Sequence, residues 1–272
     1  MLTAYKVIRR ISWCGMGMGI VLGLGAPRPA APPVRPFLIY YGWIPHRPSH
    51  FDHLAESMAQ YPVVILGSHE EWSKDPDNSP AAALIHRDRR TAFYGYADIG
   101  VTHGQADHTT GYLHAALIEW RKMGAAGVVL DCAGPDYGVT RHRLKTVIAM
   151  AHHDGLRVLI NAFDPQALCD AGLRAGDGWL AENWVVVAGR DDRFTQGFDW
   201  PSVSVVLRHH IAVWMTATDS RPPSWMWVQT WVPQTARALK GSWIAVAGPQ
   251  YSSQSNSVVP AAWIIRALHL PN

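Results

Sequence analysis

The chain has 272 residues, 48% of them hydrophobic, with 13 tryptophans and a formal net charge of +3. That is one large domain or two small ones, with a core that needs no covalent staples, and the composition excludes a disordered chain. Lys6, Arg9 and Arg10 supply the excess charge in a 26-residue opening without acids, so the rest is formally neutral and carries no electrostatic footprint for nucleic acid.

Residues 1–26 read as a signal peptide, or as an N-terminal anchor if it is not cleaved. A basic start precedes an uncharged stretch, 11–26, that is shorter than the ~20 residues a membrane span needs. Its "GMGMGIVLGLG" makes a poor helix, and no strand precedes it as a nucleotide loop would require. Residues 27–36, "PRPAAPPVRP", form a Pro-rich linker. The expectation is a secreted protein, extracellular or periplasmic.

From residue 37 onward short apolar runs alternate with stretches of helical period. "FLIYYGW" (37–43) is a strand, and Phe51, Leu54 and Met58 share a face of a helix over 50–60. "PVVIL" (62–66) is followed by a weaker helix over 78–90, then "TAFYGYAD" (91–98) by a helix over 109–124. That helix carries Leu113, Leu117 and Trp120 on one face and stops at Gly124. "AGVVLD" (126–131) precedes a helix over 139–155, and "RVLIN" (157–161) precedes one over 164–176, which Asp164 caps and Pro165 opens. "GWLAENW" (178–184), "IAVWMTA" (211–217) and "SWIAVA" (242–247) complete eight strands, with helices over 199–210, 234–241 and 258–270.

Continuously apolar strands are buried on both faces, as in parallel sheets covered by helices. Eight strand–helix pairs in this span predict a single-domain (β/α)8 barrel over 37–272. An open doubly wound sheet would carry a Gly-rich turn after its first strand, and "GWIPHRPSH" is not one.

In such barrels chemistry sits at the C-terminal ends of the strands. Those ends present Tyr41 and Trp43; Ser68, His69 and Glu70; Tyr96 and Asp98; Asp131; Asn161; Glu182 and Trp184; Thr216 and Thr218; Gln250 and Tyr251. No lysine ends a strand, which argues against Schiff-base chemistry, and no Gly-rich phosphate loop follows the last two strands. Two carboxylates on different strands, flanked by aromatic rings, suit glycoside cleavage. Asp131 and Glu182 are the strongest pair: Asp131 follows a buried strand directly with Cys-Ala-Gly, not a helix, after it, and Glu182 is embedded in "WLAENWVV", too apolar a setting for an ordinary solvated glutamate. Asp164 reads as a helix cap, and Asp136 in "GPDYG" as a turn former or a site residue. Trp225, Trp227 and Trp231 are candidates for lining a groove. Cys132 and Cys169 lack CxxC spacing and form either a disulfide or two ordinary thiols.

Taken in order, "FLIYYGW", "TAFYGYADIGV", "GAAGVVLDCAGPDYG", "RVLINAFDP" and "GDGWLAENW" resemble the endo-α-1,4-polygalactosaminidase-like glycoside hydrolases and their spherulin-4-like relatives. The resemblance spans residues 37–190. It implies an endo-acting, secreted enzyme on an α-linked, galactosamine-containing polysaccharide, with Asp131 as nucleophile and Glu182 as acid/base in an apolar surround of Trp179 and Trp184. Tyr41, Trp43, Tyr96, Asp98, Asp136, Asn161, Trp184 and Tyr251 would bind substrate, with Asp98 or Asp136 facing an amine. Cys132 stands where spherulin-4-like chains carry glutamate. No cofactor, metal or nucleic acid is expected, no membrane beyond the N-terminal anchor, and the chain is taken as a monomer. Two rival readings stay open: a non-catalytic carbohydrate-binding barrel, and a metal-dependent hydrolase built on His103, Asp107 and His108.

Overall fold

The structure is a computed structural model, and it describes residues 34–186, 200–218, 224–239, 242–247, 259 and 261–269. The proposed signal peptide and most of the Pro-rich linker lie outside those residues. In chain order the elements are β1 (Arg35–Pro36), β2 (Leu38–Ile39), α1 (Pro48–Met58), β3 (Val63–Ile65), α2 (Asn78–Arg87) and β4 (Ala92–Asp98). A small hairpin follows, β5 (Val101–Thr102) and β6 (Gln105–Ala106), then α3 (Thr110–Met123), β7 (Gly127–Asp131), α4 (Arg141–His153) and β8 (Arg157–Ile160). The last third holds β9 (Gly178–Val186), α5 (Trp200–Arg208), β10 (Ala212–Thr218), α6 (Trp225–Leu239), β11 (Trp243–Ala247) and α7 (Ala261–Leu268).

All nine strands of the main sheet pair in parallel, in the order β1-β11-β10-β9-β8-β7-β4-β3-β2. Residues 35–39 serve both ends of that order. Arg35 and Pro36 pair with β11, Leu38 and Ile39 pair with β3, and the Phe37 N–H donates to the Ile244 carbonyl at 3.0 Å. The fold is the expected (β/α)8 barrel, and its first pairing begins inside the stretch read as linker.

Alternation along each strand sorts the core into two layers. Ile39, Ile65, Tyr94, Val129, Leu159, Leu180, Trp214 and Ala245 fill the barrel interior. Their neighbours, such as Val64, Phe93, Leu130 and Ile160, face the helices and meet Leu117, Trp120, Leu144 and Ile148. The interior is aromatic: the Trp214 ring lies 4.3 Å from Trp243, 5.1 Å from Phe37 and 5.9 Å from Tyr94, centroid to centroid. Large rings need room, and glycine provides it. A Cβ at Gly127 would sit 2.3 Å from the Tyr94 ring, and one at Gly95 would sit 2.1 Å from the Trp120 indole.

Helix ends follow their local chemistry. Thr109 and Thr140 cap α3 and α4 by accepting the N–H groups of Tyr112 and Arg143, both at 3.2 Å. Gly124 ends α3 at φ 95. Two helices depart from expectation. The one expected over 164–176 is a single 3-10 turn, Pro165–Leu168. Asp164 does cap it, accepting the Gln166 N–H at 2.9 Å, but Asp170, Gly172 and Gly176 take left-handed backbone and end the spiral. The one expected over 234–241 starts earlier, at Trp225, and carries Pro233 inside it.

Candidate active site

The C-terminal rim of the barrel gathers the polar side chains. Beyond the interior residues Val129 and Leu159, β7 ends on Asp131 and β8 runs into Asn161. The Asn161 Nδ2 donates to Asp131 Oδ1 at 2.7 Å. The Tyr96 hydroxyl, from the neighbouring β4, donates to Asp131 Oδ2, and the Cys132 thiol approaches that oxygen at 3.7 Å. Both carboxyl oxygens are therefore held, from three sides.

Burial raises the pKa of Asp131 above its ordinary value, against the opposing pull of the Tyr96 hydrogen bond. Burial and then the Asp131 charge push the Tyr96 phenol far up, and the Cys132 thiol for the same two reasons. Both groups thus keep their protons and stay donors to the carboxyl. Cys132 reaches it from a left-handed backbone, φ 50. A carboxylate fixed in this way at a barrel mouth can attack an electrophilic carbon or accept a proton.

Beside it opens a cleft of about 510 Å³, lined among others by Tyr41, Trp43, Ser68, Glu70 and Tyr96. The rings of Tyr41 and Tyr96 meet edge to face at 5.8 Å. Trp43 stands 64% exposed at the rim, and its backbone carbonyl accepts the Tyr40 hydroxyl at 2.8 Å. Flat rings of this kind offer apolar faces to a sugar. Tyr96 belongs to both features, with its ring in the cleft wall and its hydroxyl on Asp131.

The loop after β3 adds two acids to which the sequence reading gave no role. Glu70 is 6% exposed and Glu71 4%, and in each the Oε2 atom is buried without a hydrogen-bond partner. His69 before them adopts φ 76. Glu70 lines the large cleft, whereas Glu71 lines a smaller pocket of about 150 Å³ shared with Asp98, His108 and Tyr112. Burial raises the pKa of Glu71 to about 7, and that of Glu70 well above the carboxylate range with Asp77 adding to it. Asp77 is buried but partnered, by the Ile44 N–H at 3.0 Å and by His46 Nε2 at 3.3 Å. The available signal was the doubled acid in "GSHEEW" straight after an apolar strand.

The remaining candidates fall as follows. Asp98 pairs in register with Asp131 but lines the smaller pocket, and its Oδ1 accepts the Gly100 N–H at 2.8 Å. Asp136 is exposed in the 3-10 turn Pro135–Tyr137 and lines neither pocket. Glu182 and Trp184 lie on β9, whose register with β10 shifts between Met215 and Ala217. Their side chains lie outside the described structure, as does Tyr251 altogether. Trp179, expected beside Glu182, is instead buried in the helix-facing layer and donates to the Ala162 carbonyl at 3.0 Å.

Trp225, Trp227 and Trp231 pack on α6: Trp225 meets Trp263 of α7 at 6.2 Å, and Trp227 stacks on Trp231 at 5.6 Å. Cys132 and Cys169 are separate thiols. Among the described residues no three His, Cys, Asp or Glu side chains are placed to hold a metal ion. His103 is exposed and His108 stacks on Tyr112 at 4.4 Å.

No family model and no curated protein sequence matches the chain. Its fold is similar to that of a type I 3-dehydroquinate dehydratase from Clostridium difficile, with a TM-score of 0.51 and 10% identity over 88% of this chain and 92% of that one. It is also similar to a GH20 catalytic module of a pneumococcal exo-beta-D-N-acetylglucosaminidase, with a TM-score of 0.50 and 8% identity over 86% of this chain and 84% of that one. At these identities the likeness is one of fold, and a fold of this kind hosts many chemistries.

Proposed function

We propose that the protein is a secreted glycoside hydrolase that cuts within an α-linked, galactosamine-containing polysaccharide. Asp131 acts as nucleophile and Glu182 as acid/base. The observation that carries the reading is the fixing of Asp131 by Asn161 and Tyr96 beside an aromatic-walled cleft. The ordered carboxyl supports attack on an anomeric carbon, and the rings of Tyr41, Trp43 and Tyr96 support docking of the sugars. The place of Glu182 on β9, two strands along the sheet from β7, supports a second carboxyl near the same rim. The basic, glycine-rich opening segment supports export.

In the first step Asp131 adds to the anomeric carbon while Glu182, protonated, gives its proton to the departing oxygen. In the second step Glu182 takes a proton from a water whose oxygen bonds to the anomeric carbon, and the carbon's bond to Asp131 breaks, freeing the carboxylate. The neutral donors Tyr96 and Asn161 stay on the Asp131 carboxyl when its charge is lost to the new bond and regained.

The test is reducing-end release from α-1,4-linked galactosamine polymer by the purified chain and by Asp131→Asn and Glu182→Gln. Each substitution is expected to abolish release. Cleavage by either variant at the rate of the unmodified chain would overturn the assignment.

A further inference from the structure

A buried carboxyl without a partner is costly, and a fold keeps one where something fills the vacancy. Glu70 has one oxygen in that state. The Gly67 N–H donates to its carboxyl, while Oε2 is buried and unpartnered in a residue that lines the cleft. The charged and titratable neighbours that bear on it are Asp77, Asp75 and Glu71, all acidic. Burial, and then the neighbouring Glu70 and Asp77, push the Tyr40 phenol up to about 12. His69 lines the same cleft, and neither lysine nor arginine is among the cleft's described lining. Tyr41, Trp43 and Tyr96 line the same cleft, and aromatic rings attract cations. Acids and aromatic rings sharing one cleft form the environment that favours a protonated amine over a hydroxyl or an acetamide.

We propose that Glu70 is the specificity-determining residue of a subsite for a primary ammonium group, carried by one sugar unit of the substrate; this rests on the carbohydrate reading of the cleft. Without a ligand, burial and then Asp77 favour the protonated carboxyl. The arriving ammonium takes the place of that proton. The carboxyl ionises, its proton leaves to solvent, and the carboxylate accepts an N–H from the ligand. No bond to carbon changes. Binding therefore releases up to one proton and strengthens as pH rises, until the ligand amine itself deprotonates. Asp98 and Asp136, the acids that the family resemblance suggested for an amine, do not line this cleft: Asp98 lines the smaller pocket and Asp136 neither.

The experiment uses the full chain carrying Asp131→Asn, so that no ligand is consumed. Tetrasaccharides of α-1,4-linked galactosamine and of its N-acetylated form are titrated calorimetrically in two buffers of different ionisation enthalpy. The amine form is expected to bind about tenfold tighter or more, the worth of one hydrogen bond to a charged group, with proton release. Adding Glu70→Gln, which keeps the shape and removes a buried charge, is expected to erase both the preference and the release. Equal affinity for the two ligands, no binding of either, no proton release, or a preference that survives Glu70→Gln overturns the subsite. Reducing-end assays separate this from the catalytic proposal. Cleavage without a Glu70-dependent amine preference sinks the subsite alone, and an amine preference without cleavage sinks the catalytic reading alone.

Discussion

Asn161 holds Asp131 across the boundary between two adjacent strands, amide nitrogen to carboxyl oxygen at 2.7 Å. Removing the amide frees one carboxyl oxygen to rotate. A hydrogen bond to a charged group is worth about 1.5–3 kcal/mol, so Asn161→Ala should lower kcat by about 10–100-fold. Steady-state kinetics on galactosamine polymer checks this. An unchanged kcat would mean that Tyr96 suffices to orient the acid.

Trp43 carries its exposed ring at the rim, while its backbone is tied by Tyr40. The Trp43→Ala chain should melt within a degree or two of the parent, since exposed substitutions cost roughly 0.5 kcal/mol or less. Its affinity for oligosaccharide should drop about 2–12-fold, from the ~0.5–1.5 kcal/mol that an aromatic face contributes beyond area. Calorimetric titration paired with a thermal melt reads both, and an unaltered Kd removes Trp43 from the binding surface.

Glu71 makes the fold sensitive to pH in a fixed direction. Its folded pKa is about 7 against an ordinary 4.5. Between those values the folded chain keeps a proton that the unfolded chain has lost, so stability falls as pH rises through that window. The loss from this one group is roughly 3 kcal/mol at most, at 1.36 kcal/mol per pH unit. Denaturant midpoints taken from pH 4 to 8 should fall less steeply in Glu71→Gln than in the parent. Parallel curves would show that Glu71 titrates normally.

Asp177 is an acid of another kind, structural and far more heavily bonded. It accepts the Val158 N–H at 2.9 Å and the Arg174 N–H at 2.6 Å, and pairs with His152 Nε2 at 2.8 Å. Asp177→Ala strands all three donors in the interior and should cost about 3 kcal/mol or more, at ~1–3 kcal/mol for each unsatisfied group. Urea denaturation measures it. A loss below 1 kcal/mol would indicate that water replaces the carboxylate.

The barrel was legible because parallel strands write themselves as continuous apolar runs, and Asp131 and Asn161 because each follows such a run at once. The register of β7 with β4 and β8 then brings Tyr96 and Asn161 to one carboxyl, which no single run announces. Glu70 was named at a strand end without a role and Glu71 not at all, because their character comes from burial, which the apolar run before them does not announce. The helix over 164–176 was overread for a related reason. Asp164 and Pro165 mark a start correctly, but a start carries no length, and the residues after it turn left-handed. The helix over 234–241 was underread: α6 starts at Trp225 and runs through Pro233.

The split of the first wall segment at Phe37 has a temporal consequence. Its two halves join strands drawn from opposite ends of the sequence, β3 and β11. During synthesis β2 can dock as soon as β3 emerges, but β1 must wait for nearly the whole chain. Until then the sheet has two unpaired edges, on β1 and on the last strand made, and the aromatic plug around Trp214 lacks its Trp243 neighbour. Closing that seam is a late long-range step, and the rim that carries Asp131 becomes a complete ring only when it is done.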